Sequence, residues 1–107
     1  MQRYGMMVRA RAGCLEEYKR LHASVPEGVL TMIRACHIRN YSIYEKDGVL
    51  FSYFEYHGED FEADMARMAA DPATQDWWDV CKPLLEPLDT RAPGEFWAAM
   101  DEVFHCD

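Results

Sequence analysis

The stretch that decides the fold is IRNYSIYEKDGVLFSYFEY, residues 38–56. Its two halves, Ile38 to Glu45 and Val49 to Tyr56, are rich in aromatic and β-branched side chains, which favour strands. The intervening Lys46-Asp47-Gly48 segment contains Asp-Gly, a strong signal for a tight turn between antiparallel strands. The sequence therefore predicts a β-hairpin over these residues.

A strand and two helices are predicted before the hairpin. From Arg3 to Arg11, apolar side chains alternate onto both faces, which predicts a strand at the centre of a sheet. The next segment has an apolar stripe at helical spacing and charges opposite it, so we expect an amphipathic helix. Pro26 interrupts this pattern, and a second helical pattern begins at Glu27. The stripe of the first helix is Leu15, Tyr18 and His22.

The segment after the hairpin predicts two more helices. One begins after Gly58, and the other begins at Asp71-Pro72, a pair that caps and starts helices. Three prolines mark Pro83 to Gly94 as a surface loop, and Met100 to His105 is predicted as a last strand. The apolar residues of the two helices are Phe61, Met65, Met68 and Ala69, then Trp77, Trp78, Val80 and Cys81.

The predicted elements follow the order strand, helices, two strands, helices, strand. This is the order of a split βαβ, or ferredoxin-like, α+β sheet with helices on one face. Residues 1–107 form one domain on this prediction. Helices on one side leave the other face of the sheet uncovered. An open face with this many aromatic side chains favours a second subunit or a ligand pocket.

Composition excludes several classes of partner. The 107 residues include 11 Lys and Arg against 19 Asp and Glu, a net charge of −8 with no basic stripe, so neither nucleic acid nor an anionic membrane is expected. No apolar run approaches the roughly 20 residues that span a bilayer. The four cysteines form no CxxC pair and no signal segment is evident, which favours a cytoplasmic setting. No metal-binding motif occurs, so no metal is expected.

Tyr18 and His22 are the first candidates for chemistry. They lie four residues apart on one helix, so both side chains project from the same face. An imidazole exchanges protons near neutral pH and a phenol can orient it, which is typical of a general acid with a helper. The alternative is that His22 only packs near the helix end.

The second candidate set is aromatic and suits a sugar. Flat rings cover the C–H faces of sugars, while indole N–H and phenol O–H groups contact their hydroxyls. Trp77 and Trp78 point about 100° apart on a helix, so both cannot enter one site face-on. These aromatic residues could equally form the core. The set is Tyr41, Tyr44, Tyr53, Tyr56, Trp77 and Trp78.

Five short motifs, taken in order, resemble the L-rhamnose mutarotase family. They are Glu17-Tyr18-xxx-His22, Pro26-Glu27, Asn40-Tyr41-Ser42-Ile43-Tyr44, Trp77-Trp78 and Glu102-Val103-Phe104. The resemblance implies a homodimeric α+β barrel in which each subunit binds one free monosaccharide and interconverts its α and β anomers without metal or organic cofactor. It implies that His22 is the proton donor, and that Tyr18, Tyr41, Trp77 and Trp78 contact the sugar.

One departure from the family pattern leaves the sugar open. The family usually has Trp directly before Pro-Glu, whereas this chain has Val25 there. A smaller side chain near the proton donor reshapes the pocket, so L-fucose or another aldose is an alternative to L-rhamnose. Two further alternatives remain for this fold, namely a cofactor-free oxygenase and a non-catalytic sugar-binding module.

Overall fold

The computed structural model of the chain describes residues 1–107 and contains one antiparallel sheet with four helices. The strands are β1 (Gln2–Ala10), β2 (Ile38–Lys46), β3 (Val49–Tyr56), β4 (Leu85–Glu86) and β5 (Ala98–Met100). The helices are α1 (Leu15–His22), α2 (Glu27–Ala35), α3 (Phe61–Ala69) and α4 (Pro72–Cys81), followed by a 3₁₀ turn over Lys82–Leu84. None of these helices is long and apolar enough to cross a membrane.

Strand β1 lies at the centre of the sheet, as its two apolar faces predicted. The order is β2-β3-β1, and β4 and β5 share the outer edge of β1. Arg9 and Ala10 pair with β4, whereas Gly5 to Met7 pair with β5. The result is a curled sheet in ferredoxin-like strand order.

The predicted hairpin is confirmed. Lys46 pairs with Val49 across a two-residue turn, in which Asp47 and Gly48 have φ of 53° and 81°. Two positive φ values match the twist of the flanking strands, and Asp-Gly tolerates them. The Glu45 carboxylate accepts a hydrogen bond from the Gly48 N–H at 3.1 Å, which closes the turn.

All helices pack on one face of the sheet. Alternate residues of β3 are buried against them: Leu50, Ser52, Phe54 and Tyr56. Two apolar clusters result, one around Val8, Tyr18, Leu50 and Leu85 and the other around Ile38, Phe54 and Tyr56. The first cluster anchors α1, and the second anchors α2 and α3.

Capping fixes the starts of α3 and α4. The Asp60 carboxylate accepts from the Ala63 N–H at 3.1 Å, and the Asp71 carboxylate accepts from the Thr74 N–H at 3.0 Å. The predicted helix start at Asp71-Pro72 is therefore confirmed, because Pro72 is the first residue of α4. Each cap satisfies an N–H that the helix leaves unpaired.

Asp64 ties α3 to the sheet. Its carboxylate accepts hydrogen bonds from the Tyr56 hydroxyl at 2.5 Å and from His37 Nδ1 at 3.2 Å. The Tyr56 hydrogen bond is the main reason that the pKa of Asp64 lies below its usual value, and the His37 contact adds to it.

The C-terminal third differs from its prediction. The last strand is Ala98–Met100, not Met100 to His105. It pairs with Gly5 to Met7 along the edge of β1, and only Ala98–Met100 lies beside those residues. Within the predicted loop, Leu85 pairs with β1 and is buried, so part of this segment belongs to the sheet. On α4, Thr74 and Cys81 are buried and Val80 is 50% exposed.

No helix covers the other face of the sheet. Phe51 and Tyr53 lie there half-buried, and Tyr44 stacks on Phe51 while 64% exposed. After β5 the chain forms no regular structure, and Val103 and Phe104 are 94% and 82% exposed. The open apolar face expected from the sequence is present.

Candidate active site

Tyr18 and His22 stack on each other on α1. Their ring centroids lie 4.1 Å apart, at an angle of 29°. Tyr18 is only 4% exposed and packs in the core beside Val8 and Leu50. His22, the last residue of α1, is half-buried. The spacing of four residues therefore holds the imidazole against a ring that the core fixes in place.

A hydrogen bond determines which nitrogen of His22 is available. Nδ1 lies 2.8 Å from the carbonyl oxygen of Tyr18. A carbonyl oxygen only accepts, so Nδ1 carries the proton of this hydrogen bond. Nε2 is then the nitrogen that exchanges protons with any bound molecule.

The two tryptophans of α4 have different surroundings. Trp77 meets the His22 ring edge-on, with centroids 5.0 Å apart. Trp78 instead lies beneath the ammonium group of Lys82, at 4.6 Å. Neither indole lines the main cleft. Trp77 therefore contacts His22 and Trp78 contacts Lys82, because adjacent residues of a helix point about 100° apart.

Tyr41 lies on the helix side of the sheet, in regular alternation with Ser42 and Ile43 and next to a β-bulge in β2. The register with β3 shifts between Arg39 and Ser42, so one extra residue opposes Phe54. Asn40 sits in the left-handed region with φ of 51°. Asn adopts this conformation more readily than other residues with a Cβ. Past the bulge, the Tyr41 ring meets Phe54 edge-on at 5.5 Å.

An open cleft of about 670 Å³ lies between α1, α2 and β2. This volume is within the usual range for small-molecule sites. His22 also borders a second recess of about 330 Å³, which Tyr18 lines. The main cleft is lined by His22, Val25, Leu30, Ile33, Arg34, Ile38, Arg39, Asn40, Tyr41 and Ile43.

The phenols at the site remain protonated. Burial raises the pKa of Tyr18, and the nearby Tyr41 and Cys81 raise it further. Burial also raises the pKa of Tyr41, although the residue as a whole is 45% exposed. No hydrogen bond contributes to the pKa shift of either hydroxyl. They can donate a hydrogen bond but do not ionise at neutral pH.

Two arginines and the bulge were not predicted from the sequence. Arg34 and Arg39 are the two cationic residues of the cleft, and no acidic residue lines it. Nothing in their sequence context separates them from other surface arginines. The bulge did leave a signal: Ile38 and Ile43 both pack on the helix side, yet they lie five positions apart. An odd separation puts two residues on opposite faces of a regular strand.

No group of three or more His, Cys, Asp or Glu side chains is arranged to hold a metal ion. The four cysteines are all free thiols, and burial raises the pKa of Cys81 to about 11. The cleft and the recess beside it therefore present one imidazole, the neutral phenols of Tyr18 and Tyr41, and two arginine guanidinium groups.

Comparisons with known proteins agree on one family. The model of the L-rhamnose mutarotase family matches residues 3–106. The L-rhamnose mutarotase of Phocaeicola vulgatus is 30% identical over 109 residues, covering 100% of both chains. The crystal structure of an L-rhamnose mutarotase from Formosa agariphila is similar with a TM-score of 0.78 at 17% identity, over 100% of both chains.

The fold is shared beyond that family. Tetracenomycin F2 cyclase from Streptomyces glaucescens, a type-II polyketide cyclase, has a TM-score of 0.68 at 14% identity over 100% of both chains. The predicted α+β fold of the dimeric barrel class is confirmed by these neighbours. Because the family model matches residues 3–106 and the Phocaeicola relative is 30% identical over the whole chain, this chain belongs to the L-rhamnose mutarotase family.

Proposed function

We propose that the protein interconverts the α and β anomers of L-rhamnose in the cleft beside His22. One observation carries this assignment of the site: the Tyr18 carbonyl holds Nδ1 of His22, so Nε2 alone is available where α1 borders the cleft. His22 is the general acid. Tyr18 orients the imidazole through that carbonyl and through ring stacking.

The reaction opens and recloses the sugar ring. In the imidazolium form, Nε2–H donates its proton to the ring oxygen while the bond from that oxygen to the anomeric carbon breaks. The anomeric hydroxyl loses its proton to water, and its oxygen becomes the carbonyl oxygen of the open-chain aldehyde. After rotation about the adjacent C–C bond, the new hydroxyl attacks the other face of the carbonyl and returns its proton to Nε2, while the carbonyl oxygen takes a proton from water. General acid–base catalysis of this kind contributes about 10²- to 10⁴-fold.

The aromatic residues bind the sugar in this proposal. Tyr41 contacts a sugar hydroxyl from β2, and the Tyr18 hydroxyl does so from the recess beside His22. Trp77 acts next to the reacting atoms, because its indole touches the imidazole. Trp78 lies under Lys82 and has the weaker support as a sugar contact.

Val25 forms part of the cleft wall, which supports a test of more than one sugar. Anomer exchange should be measured by saturation-transfer NMR with L-rhamnose, L-fucose and glucose. We expect the largest acceleration with L-rhamnose. A larger effect with L-fucose would reassign the substrate, and no acceleration with any sugar would remove the enzymatic role.

Two further outcomes identify the competing functions. A sugar-dependent change in Trp fluorescence without faster anomer exchange would indicate a binding module. Oxygen consumption with an aromatic substrate would indicate an oxygenase on the same fold.

The protein forms a homodimer through the open face of its sheet in this proposal. Support comes from the uncovered Phe51, Tyr53 and Tyr44, and from the exposed Val103 and Phe104 in the tail beside them. Burying such a face against a second copy removes apolar surface from water. Light scattering coupled to size-exclusion chromatography should give twice the chain mass, and a chain mass of 12.5 kDa would contradict the dimer.

A cytoplasmic location is part of the same proposal. All four cysteines are free thiols, and Cys106 is exposed. Exposed thiols persist in a reducing compartment. Fractionation of a producing cell should recover the protein with the cytoplasmic markers.

A further inference from the structure

The main cleft contains two guanidinium groups and no carboxylate. Arg34 belongs to the last turn of α2, and Arg39 is the second residue of β2. The smaller recess beside the cleft contains Glu45, and the pocket on the open face contains Asp101 and Glu102. In a chain with a net charge of −8, this cleft is therefore a local site of positive charge.

Backbone carbonyls hold the guanidinium group of Arg39 in place. Nη1 donates to the Arg34 carbonyl at 3.0 Å and to the Ile38 carbonyl at 2.9 Å. Both hydrogen bonds leave from one nitrogen, and neither acceptor is charged. The edge formed by Nε and Nη2 therefore remains available to an acceptor, on a group that two contacts have already oriented.

Two other arginines of this chain show what such an edge binds. Arg20 donates from Nε and Nη2 to the two carboxylate oxygens of Glu17, the Nε contact being 2.8 Å long. Arg3 donates from the same two atoms to Glu102 Oε1, at 3.3 and 3.0 Å. Paired hydrogen bonds between a guanidinium and an anion are strong and directional. The equivalent edge of Arg39 has no carboxylate of this chain as its partner.

We propose that Arg39, together with Arg34, forms an anion subsite in the cleft, which lets the protein bind monosaccharides that carry a carboxylate or a phosphate. This inference rests on the proposed sugar site beside His22. Both anions offer only acceptors to the guanidinium groups. The cleft volume of about 670 Å³ suits ligands of drug size, so a charged substituent on a hexose fits within it.

Arg34 has a weak competitor for such an anion. Its Nη1 lies 3.5 Å from Glu27 Oε1, and the two side chains are 63% and 78% exposed. Glu27 does not line the cleft, and exposed ion pairs of this kind contribute little. Removing the competing carboxylate with Glu27→Gln should therefore strengthen anion binding by about threefold. A purely structural role of the two arginines would give no such gain.

The test is a titration with matched sugars, followed by the NMR signal of the Arg39 Nε–H group. The probes are glucose, glucuronate and glucose-6-phosphate, at about 0.15 M salt, where charges beyond about 8 Å are screened. We expect both anions to bind at least about tenfold more tightly than glucose and to shift the Arg39 signal. The tighter of the two anions identifies whether the subsite prefers a carboxylate or a phosphate.

Two charge-matched variants locate the effect. Arg39→Gln should weaken binding of the anionic sugars by about tenfold and leave the exchange of neutral L-rhamnose within about twofold of wild type. Arg91→Gln is the control, because Arg91 Nη1 also donates to a backbone carbonyl, that of Leu88 at 3.0 Å, but lies outside the cleft. We expect this control to bind the anions as wild type does. Thermal unfolding of every variant verifies folding.

Several results would overturn the inference. Equal affinity for glucose and both anions, or no shift of the Arg39 signal with either anion, would show that the cleft has no anion subsite. Inorganic phosphate that binds as tightly as glucose-6-phosphate would show that the sugar plays no part.

The titration also keeps this inference apart from the proposed function, because the Arg39 signal reports binding without turnover. Tight binding of the anions with no anomer exchange of any sugar would refute the proposed function alone. Exchange of L-rhamnose without preferential binding of either anion would refute the subsite alone.

Discussion

Replacing His22 with Asn removes the proposed proton donor and keeps its hydrogen bond to the backbone. The Asn amide nitrogen occupies nearly the position of Nδ1, so it can still donate to the Tyr18 carbonyl, now 2.8 Å from Nδ1. Nothing replaces Nε2. We therefore expect the anomer exchange rate to fall by about 10²- to 10⁴-fold, or about 2.7–5.5 kcal/mol in activation free energy.

The same substitution has a smaller effect on stability. It removes ring contacts to Tyr18 and Trp77, with centroids at 4.1 and 5.0 Å. Each such contact contributes about 0.5–1.5 kcal/mol, so the free energy of unfolding should fall by about 1–3 kcal/mol. A domain with about 5–15 kcal/mol of stability stays folded after this loss. The rate loss would then report chemistry and not unfolding.

The assay is saturation-transfer NMR with L-rhamnose, with the rate expressed per folded protein from the unfolding curve. His105→Asn is the matched control, because His105 is exposed in the C-terminal tail and lies outside the cleft. We expect this control to exchange anomers at the wild-type rate. A His22→Asn protein that keeps a third or more of the wild-type rate would refute the assignment of His22 as general acid.

Three further predictions follow from other contacts. Trp77→Phe should remove most of the sugar-induced fluorescence change, whereas Trp78→Phe should retain it, because only the former indole touches the imidazole. Asp64→Asn should lower the melting temperature at pH 7, because folding lowers the pKa of the Asp64 carboxyl and its ionised form then stabilises the folded state. This stabilisation is present above the unfolded pKa and is lost as the pH falls through the folded pKa. The difference in melting temperature between the variant and wild type should therefore shrink below about pH 4. Iodoacetamide at pH 8 should alkylate the exposed Cys106 more than about tenfold faster than Cys81, whose thiol is buried and has a pKa of about 11, as peptide mapping would show.

Local chemistry explains which elements the sequence predicted well. The Asp47-Gly48 turn and the Asp71-Pro72 helix start each depend on neighbouring residues, so their signals are complete within a few positions. The position of the last strand depends on which part of the β1 edge is free to pair. That is decided by residues far away in the sequence, so no local signal reports it. Prolines near Leu85 hid a two-residue strand, because an edge strand tolerates flanking prolines.

The candidate site was predictable in part for a similar reason. The spacing of Tyr18 and His22 on a helix places them together whatever surrounds them. Tyr41 lies on the same face as Ile43, as the alternation of β2 requires, whereas the bulge that brings Ile38 to that face is not visible in local spacing. The splitting of Trp77 from Trp78 followed from helix geometry, but the partner of each indole depends on how α4 docks.

In the proposed mechanism, the bond between His22 Nδ1 and the Tyr18 carbonyl limits how protons are divided during the reaction. Because Nδ1 is hydrogen-bonded to the backbone, only Nε2 can exchange a proton, and it does so with one atom of the sugar at a time. The ring oxygen occupies the same place in both anomers, so a fixed donor suits it. The anomeric hydroxyl changes sides at every turnover, and only a mobile acceptor such as water can meet it in both positions. A rigid histidine paired with free solvent thus matches a substrate that has one stationary and one migrating oxygen.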